Sequence, residues 1–339
     1  MNAIVLEKPG VLRNAQADDP ADLPAGCALV RVHRVGICGT DWHAYQGRQP
    51  FFSYPRILGH ELGVIVERVN DPQSALQPGD RCVVEPYLNC GQCIACRRDK
   101  PNCCMNLKVM GVHVDGGMCE RIVVPAGKLH RSEKLSLDDL TLVEPLGIGC
   151  HAVDRAQIAS GEWVLVIGAG PIGLSVITFA EAAGAKVIVM DISPERLEFC
   201  RAGMGVRNTI DPGESDPVAI LKKLTSDELP TCVMDATGNP QSMAGCFELA
   251  AHGGRIVFVG LFQGELTFND PNFHRRELTL LASRNSRPAD FDRIITMVER
   301  GQIDTRPWIT HRVGFDRAVQ EFPKLLEPNS GVLKAIIEL

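Results

Sequence analysis

The run WVLVIGAGPIGL constrains the fold of this chain more than any other stretch. An apolar strand, Trp163 to Ile167, leads straight into Gly168, Gly170 and Gly173, a G-x-G-x-x-G placed at a strand-to-helix turn. In such a turn the first glycine permits the tight bend, the second lets backbone approach a pyrophosphate, and the third lets helix pack on strand. The unpaired N–H groups at the helix start, here around Pro171 and Ile172, attract the anion. The next strand, KVIVMD, ends in Asp191, eighteen residues after Gly173. A carboxylate there can accept hydrogen bonds from the adenosine ribose hydroxyls and repels a 2′-phosphate, so NAD is expected over NADP. Asp191 could instead cap the helix that follows, and Arg196 could accommodate a 2′-phosphate or line the adenine pocket. Ile192, next to Asp191, joins the same candidate set.

The texture around this motif changes twice. Up to about residue 147, short β-rich runs alternate with Gly and Pro: Ala28 to Val35, Gly63 to Val69, Arg81 to Glu85 and Glu120 to Val124. This predicts a barrel-like β domain. From Gly149, strands alternate with helices, the pattern of a parallel sheet built from βαβ units. Strands are expected at Trp163–Ile167, Lys186–Met190, Thr231–Asp235, Arg255–Val259 and Thr279–Ala282, with helices at Ile172–Ala183 and Pro194–Ala202. After about Ser283 the chain is irregular, then offers a helix at Ala289–Arg300 and a last strand at Lys334–Glu338.

Composition narrows the class. A chain of 339 residues accommodates about two domains. With 35 Lys and Arg against 41 Asp and Glu, the net charge of −6 is the wrong sign for electrostatic nucleic-acid binding. No apolar stretch approaches the ~20 residues of a membrane span, and the N-terminus does not resemble a signal peptide, so a cytoplasmic protein is expected. The odd count of 13 Cys argues for reduced thiols or metal sites over disulfides. Cys27, Cys82, Cys119, Cys200, Cys232 and Cys246 stand among apolar neighbours and read as core residues.

Cys90, Cys93, Cys96 and Cys104 follow the close spacing of a structural zinc, with Cys103 a competing fourth ligand and an iron–sulfur cluster the rival occupant. A second set is dispersed: Cys38 in GICGTDWH, His60 and Glu61 in GHE, and Glu144 in VEPLG. A thiolate, an imidazole and a carboxylate from separate segments suit a catalytic zinc, which keeps a position open. Thr40 and His43 lie close after Cys38 and could pass a proton to solvent. His113 and Asp115 in GVHVDGG could reach a substrate.

GICGTDWH, GHE, the four-Cys run, EPLG, GAGPIG and DATG, in that order, resemble the zinc-dependent medium-chain dehydrogenase/reductases of the alcohol, polyol and threonine dehydrogenase branch. The resemblance spans nearly the whole chain. It implies an α/β architecture: a Rossmann doubly wound parallel sheet, residues 148–283, inserted in a GroES-like β-barrel catalytic domain of residues 1–147 and 284–339. It implies a cleft between the two with the nicotinamide beside the zinc, Cys38, His60 and a Glu as ligands, and Glu61 trading with Glu144. It places Thr237, Val259, Gly260, Leu261, Ser283, Arg284 and Asn285 against the nicotinamide. A homo-oligomer, tetramer or dimer, is expected.

QPFFSYPRILGHE, GVHVDGG, FVGLFQGEL and SRN resemble the bacterial sugar-acid dehydrogenases that act on L-galactonate-like substrates. The expected activity is therefore zinc-dependent, NAD-linked oxidation of a secondary hydroxyl on an aldonate, a deoxy-keto-aldonate or a polyol. Arg48, His113 and Arg284 are the candidate substrate anchors. The rivals are a threonine 3-dehydrogenase or sorbitol-type polyol dehydrogenase and, outside enzymes, a zinc-stabilised binding protein. Two zinc ions per subunit, one catalytic and one structural, complete the expectation.

Overall fold

The computed structural model describes residues 1–325, 327 and 330–339. It forms two compact units, Met1–Glu144 with Arg287–Leu339, and Pro145–Ser286. The first opens with strands β1 (Asn2–Lys8), β2 (Val11–Gln16), β3 (Cys27–Ile37), β4 (Arg56–Ile57) and β5 (Glu61–Asn70). It continues through β6 (Arg81–Val84), β7 (Tyr87–Leu88), β8 (Lys108–Val109), β9 (Arg121–Pro125) and β10 (Leu129–Arg131). The second unit contributes β11 (Trp163–Ile167), β12 (Lys186–Met190), β13 (Asn208–Ile210), β14 (Cys232–Asp235), β15 (Arg255–Phe258) and β16 (Thr279–Ala282). The chain then returns to the first unit for β17 (Ile309–Gly314) and β18 (Lys334–Glu338).

In the first unit β3 is the organising strand. Its eleven residues pair with β5, β9 and β18, all antiparallel. The sheet path runs β10-β6-β5-β3-β18-β17, with a separate β2-β1-β4 sheet and a β7-β8 ribbon. Apolar residues of β1, β3, β5, β9 and β18, including Ile4, Val30, Val64, Ile122 and Ile337, close one core. The second unit is a six-stranded parallel sheet in the order β13-β12-β11-β14-β15-β16, the Rossmann arrangement. Its central strands are apolar along nearly their whole length because helices cover both faces. Among the described residues no helix is long and apolar enough to cross a membrane.

Two local expectations differ from the structure. The stretch expected as one helix, Pro194 to Ala202, is α-helical over Pro194–Glu198 and widens to a π-helix over Phe199–Gly203, where Gly203 and Gly205 weaken the helix end. Cys27 is half-buried, unlike the other scattered thiols, because it sits at the very start of β3, opposite Asn70 and Pro125.

One buried polar cluster ties β10 to the returning segment. His130 Nδ1 lies 2.7 Å from Asp292 Oδ1 and Nε2 lies 3.4 Å from Glu85 Oε2. The ring stacks on Phe291 with centroids 4.9 Å apart. With a carboxylate at each nitrogen, the doubly protonated imidazolium satisfies both. Burial opposes that charge, but Asp292 and Glu85 outweigh it and raise the pKa above the ordinary 6.5. A histidine raised in the folded state stabilises fully below its unfolded pKa and loses that contribution as pH rises through the folded one. His130→Gln should therefore lower the unfolding midpoint most near pH 6, and the gap to wild type should narrow as pH climbs past the raised pKa. Equal losses at pH 6 and pH 9 would assign His130 to packing alone.

Candidate metal and cofactor sites

The dispersed metal signature converges. Cys38 caps the helix Gly39–Tyr45 directly after β3, and its backbone N–H donates to Asp41 Oδ2 at 3.0 Å. Glu61 opens β5 opposite Gly36 of β3. Any side chain at 36 would collide with it, since a Cβ there would stand 2.0 Å from Glu61 Oε2. The ligating atoms of Cys38, His60 and Glu61 all lie within 4.8 Å of one another. Glu144 falls outside that triplet. It is buried in the first turn of the helix Val143–Ala156, where Tyr87 donates its phenolic proton to Oε1. Burial raises the Glu144 pKa, and the neighbouring Glu61 adds to the rise.

Charged groups surround this set. His60 Nδ1 faces Asp41 Oδ1 at 3.7 Å, and neither buried atom has a hydrogen-bond partner. Burial alone would depress His60, but Asp41 and Cys38 outweigh it and hold its pKa well above 6.5. Buried Lys334 of β18 donates to both Glu61 oxygens at 2.8 Å and to the carbonyl of Ile37 at 3.3 Å. Cys38, Asp41, Glu61 and Glu144 thus gather four acidic side chains around His60 and Lys334. The mixed sulfur, nitrogen and oxygen donors suit zinc.

Thr40 and His43 stand three residues apart on the Gly39–Tyr45 helix and so share a face, the first half-buried and the second exposed. Partial burial and the charge of Arg48 lower the His43 pKa, and the Arg48 N–H donates to the His43 carbonyl at 2.7 Å. His113 Nδ1 accepts the Val109 N–H at 3.1 Å, and the ring stacks on Phe51. Asp115 is braced through one of its two oxygens and its side chain stays exposed. It accepts from Arg56 and from the Ile57 N–H, both at 3.1 Å, and so pins β4.

The compact signature closes as well. Cys90, Cys93, Cys96 and Cys104 bring four sulfurs within 4.8 Å, while Cys103 is exposed outside the group. The Cys90 N–H points at Cys104 Sγ at 3.2 Å, and N–H groups of Cys96 and Met105 bring the Cys93 pKa down to about 6. The Cys93 thiolate is thus favoured, whereas desolvation pushes the Cys104 thiol up to about 11.

In the second unit the glycine turn has the required crowding: a Cβ on Gly173 would stand 1.7 Å from the Gly168 carbonyl oxygen. Gly170 caps the helix Pro171–Ala182, with Pro171 at its first position and Ile172 next. Asp191 Oδ2 accepts the Ala169 N–H at 2.6 Å and Oδ1 accepts the Ser193 N–H at 2.8 Å, so this carboxylate braces the turn as well as ending β12. Arg196 reaches the same turn, its Nη1 being 3.7 Å from where a Gly170 Cβ would stand. Ile192 is 81% exposed and Leu261 66%, both just beyond strand ends. Thr237 donates from N and Oγ1 to Asp235 Oδ1, and the N–H groups of Val259 and Gly260 share the Asp235 carbonyl. The Ser283 hydroxyl is buried without a partner, Arg284 is exposed, and Asn285 has a left-handed φ of 53°. All of these lie at the carboxyl ends of the parallel strands, where this sheet type binds ligands.

Residues 24–134 match the alcohol dehydrogenase GroES-like domain and residues 171–300 the zinc-binding dehydrogenase domain. The chain is 40% identical to L-galactonate-5-dehydrogenase of Escherichia coli K12, over 99% of this chain and 98% of that one. It is 33% identical to 2-dehydro-3-deoxy-L-galactonate 5-dehydrogenase of Pseudoalteromonas atlantica, over 84% of each. The NADH complex of the Escherichia coli CFT073 RspB alcohol dehydrogenase superposes with a TM-score of 0.92 at 30% identity, covering 100% of this chain and 99% of that one. The chain belongs to the zinc-binding alcohol dehydrogenase family. It is an oxidoreductase acting on CH–OH groups.

Three residues of this dehydrogenase's metal region escape sequence reasoning: Asp41, Tyr87 and Lys334. Asp41 had a readable signal, three residues after Cys38 as in a capping box. Lys334 had none, being 273 positions from Glu61. Removing one member of a buried ion pair typically costs about 3–5 kcal/mol, because the other charge is left unpaired. Lys334→Met should lower the urea midpoint accordingly, and adding Glu61→Gln should recover most of the loss. A double variant no more stable than Lys334→Met would show that the ion pair is not the source.

Proposed function

We propose that this dehydrogenase carries out NAD-linked oxidation of a secondary hydroxyl on a C5 or C6 sugar acid, an aldonate or deoxy-keto-aldonate, at a carbon remote from the carboxylate. The observation that carries the substrate class is the exposed Arg48, tied through its backbone to His43 and charged enough to depress it. The full-length identity to an L-galactonate dehydrogenase supports the same class. Cys38 and His60, with Glu61, Glu144 or both, would hold the catalytic zinc. Bound there, the ion supplies Lewis acidity, the effect that lowers the pKa of bound water from about 15.7 to about 7. Cys90, Cys93, Cys96 and Cys104 would hold the structural zinc.

The chain's own groups manage the proton and the cofactor. Thr40 Oγ1 accepts the proton of the substrate hydroxyl, and His43, neutral at pH 7 because its pKa is lowered, passes it to solvent. Arg48 pairs with the substrate carboxylate, and His113, oriented by the Val109 N–H on its Nδ1, stands as a second anchor. Gly168, Gly170, Pro171 and Ile172 seat the pyrophosphate, Asp191 the ribose, and Ile192 and Arg196 the adenine. Thr237, Val259, Gly260, Leu261, Ser283, Arg284 and Asn285 would line the nicotinamide, which when bound would supply the hydride acceptor for turning the alcohol into a ketone.

Two measurements test this reading. Initial rates with each cofactor should favour NAD, and Asp191→Ala should weaken NAD by roughly 1.5–3 kcal/mol while narrowing the preference. A wild-type preference for NADP would hand the pocket to Arg196. Across a substrate panel, the aldonate should exceed its uncharged polyol in kcat/KM by a factor on the order of 10². Arg48→Ala should shrink that gap, or Arg284→Ala if that residue is the anchor. Equal efficiency toward acid and polyol would reject the carboxylate anchor.

A further inference from the structure

We propose that Tyr87 is a positioning residue, which holds Glu144 toward the catalytic metal through the hydrogen bond from its phenol to Oε1. The proposal rests on the reading above, in which Cys38, His60, Glu61 and Glu144 form the metal region. Both side chains are nearly inaccessible, Tyr87 at 3% and Glu144 at 4% exposure. Tyr87 donates its phenolic proton to Glu144 Oε1. A donor on one oxygen fixes the carboxylate plane and leaves the other oxygen for a ligand. Partners of this kind govern metal affinity although they never touch the ion.

The position of Tyr87 is itself well determined. Its ring meets Phe291 edge-on, with centroids 6.4 Å apart at 71°. It pairs with Val109 across the β7-β8 ribbon, and Leu88 pairs with Lys108. That ribbon is the stem of the four-thiol lobe: Cys90 follows β7 by two residues and Cys104 precedes β8 by four. Asn89, between Tyr87 and the first thiol, donates to Cys96 Sγ at 3.8 Å and accepts from Lys128 at 3.1 Å. The lobe therefore fixes the strand that presents the phenol to Glu144.

The test compares wild type, Tyr87→Phe, Glu144→Gln and the double variant, each loaded with cobalt or zinc at both sites. Chelator competition reads the affinity of each site, and the cobalt absorption spectrum reads ligand geometry. Tyr87→Phe keeps the ring and removes the donor. It should weaken the catalytic site by about 10–100-fold and shift its cobalt bands, with the thiol lobe still loaded. In the Glu144→Gln background it should add nothing. Unchanged affinity and spectrum in Tyr87→Phe would overturn the proposal. So would an equal loss in the presence and absence of Glu144, or parallel weakening of both metal sites, which marks a general structural role. A wild type that binds metal only at the thiol lobe would bring down the underlying reading, and this proposal with it.

Discussion

The ion pair between Lys334 and Glu61 is the contact on which the first unit depends. Both groups are buried, and an isolated charge in that setting is prohibitive. Each is tolerable only because the other is there. The pair ties β18 to the start of β5, beside the point where β3 hands over to Cys38. The same ammonium reaches the Ile37 carbonyl one residue before that thiol. A single side chain thus sets the local charge balance and the backbone path at the metal region.

Around that pair the remaining groups form a graded series. Asp41 stands behind His60, so the imidazole turns Nδ1 away from the ligand side and leaves Nε2 toward Cys38. A carboxylate behind a ligating imidazole fixes its orientation and raises its basicity. Glu144 is held by Tyr87. Each proposed ligand therefore has its own support: a helix cap for Cys38, an aspartate for His60, a lysine for Glu61, a phenol for Glu144. A thiol, an imidazole and carboxylates brought this close together form the mixed donor set that suits zinc.

What could be read in advance follows the range of each signal. The glycine turn and the four-thiol run were legible because their determinants lie within about a dozen residues and encode local backbone or local ligand geometry. The strands Trp163–Ile167, Lys186–Met190, Thr279–Ala282 and Lys334–Glu338 were legible from apolar runs. Lys334, by contrast, sits in a strand whose neighbours are apolar, and nothing local explains a buried cation there. Tyr87 reads as an ordinary core aromatic until Glu144 is brought to it across 57 positions. Asp115, followed by two glycines, gives no local hint that its Oδ1 braces Arg56 and the Ile57 backbone. The π-helical turn at Phe199–Gly203 is invisible to periodicity, since one widened turn leaves Leu197 and Cys200 both buried.

The discontinuous first unit also orders events during synthesis. Glu61 emerges from the ribosome 273 residues before the lysine that neutralises it. At 5–20 residues per second that interval is roughly a quarter of a minute to a minute. Throughout it, Glu61 lacks its counter-charge and β3 lacks β18, so its burial is disfavoured and the strand edge stays open. The parallel sheet of the second unit, contiguous in the chain, can close meanwhile. The contiguous second unit is thus free to be native on the nascent polypeptide while the first waits for its last strand, and the Cys38, His60 and Glu61 cluster gains its lysine only at the end of synthesis.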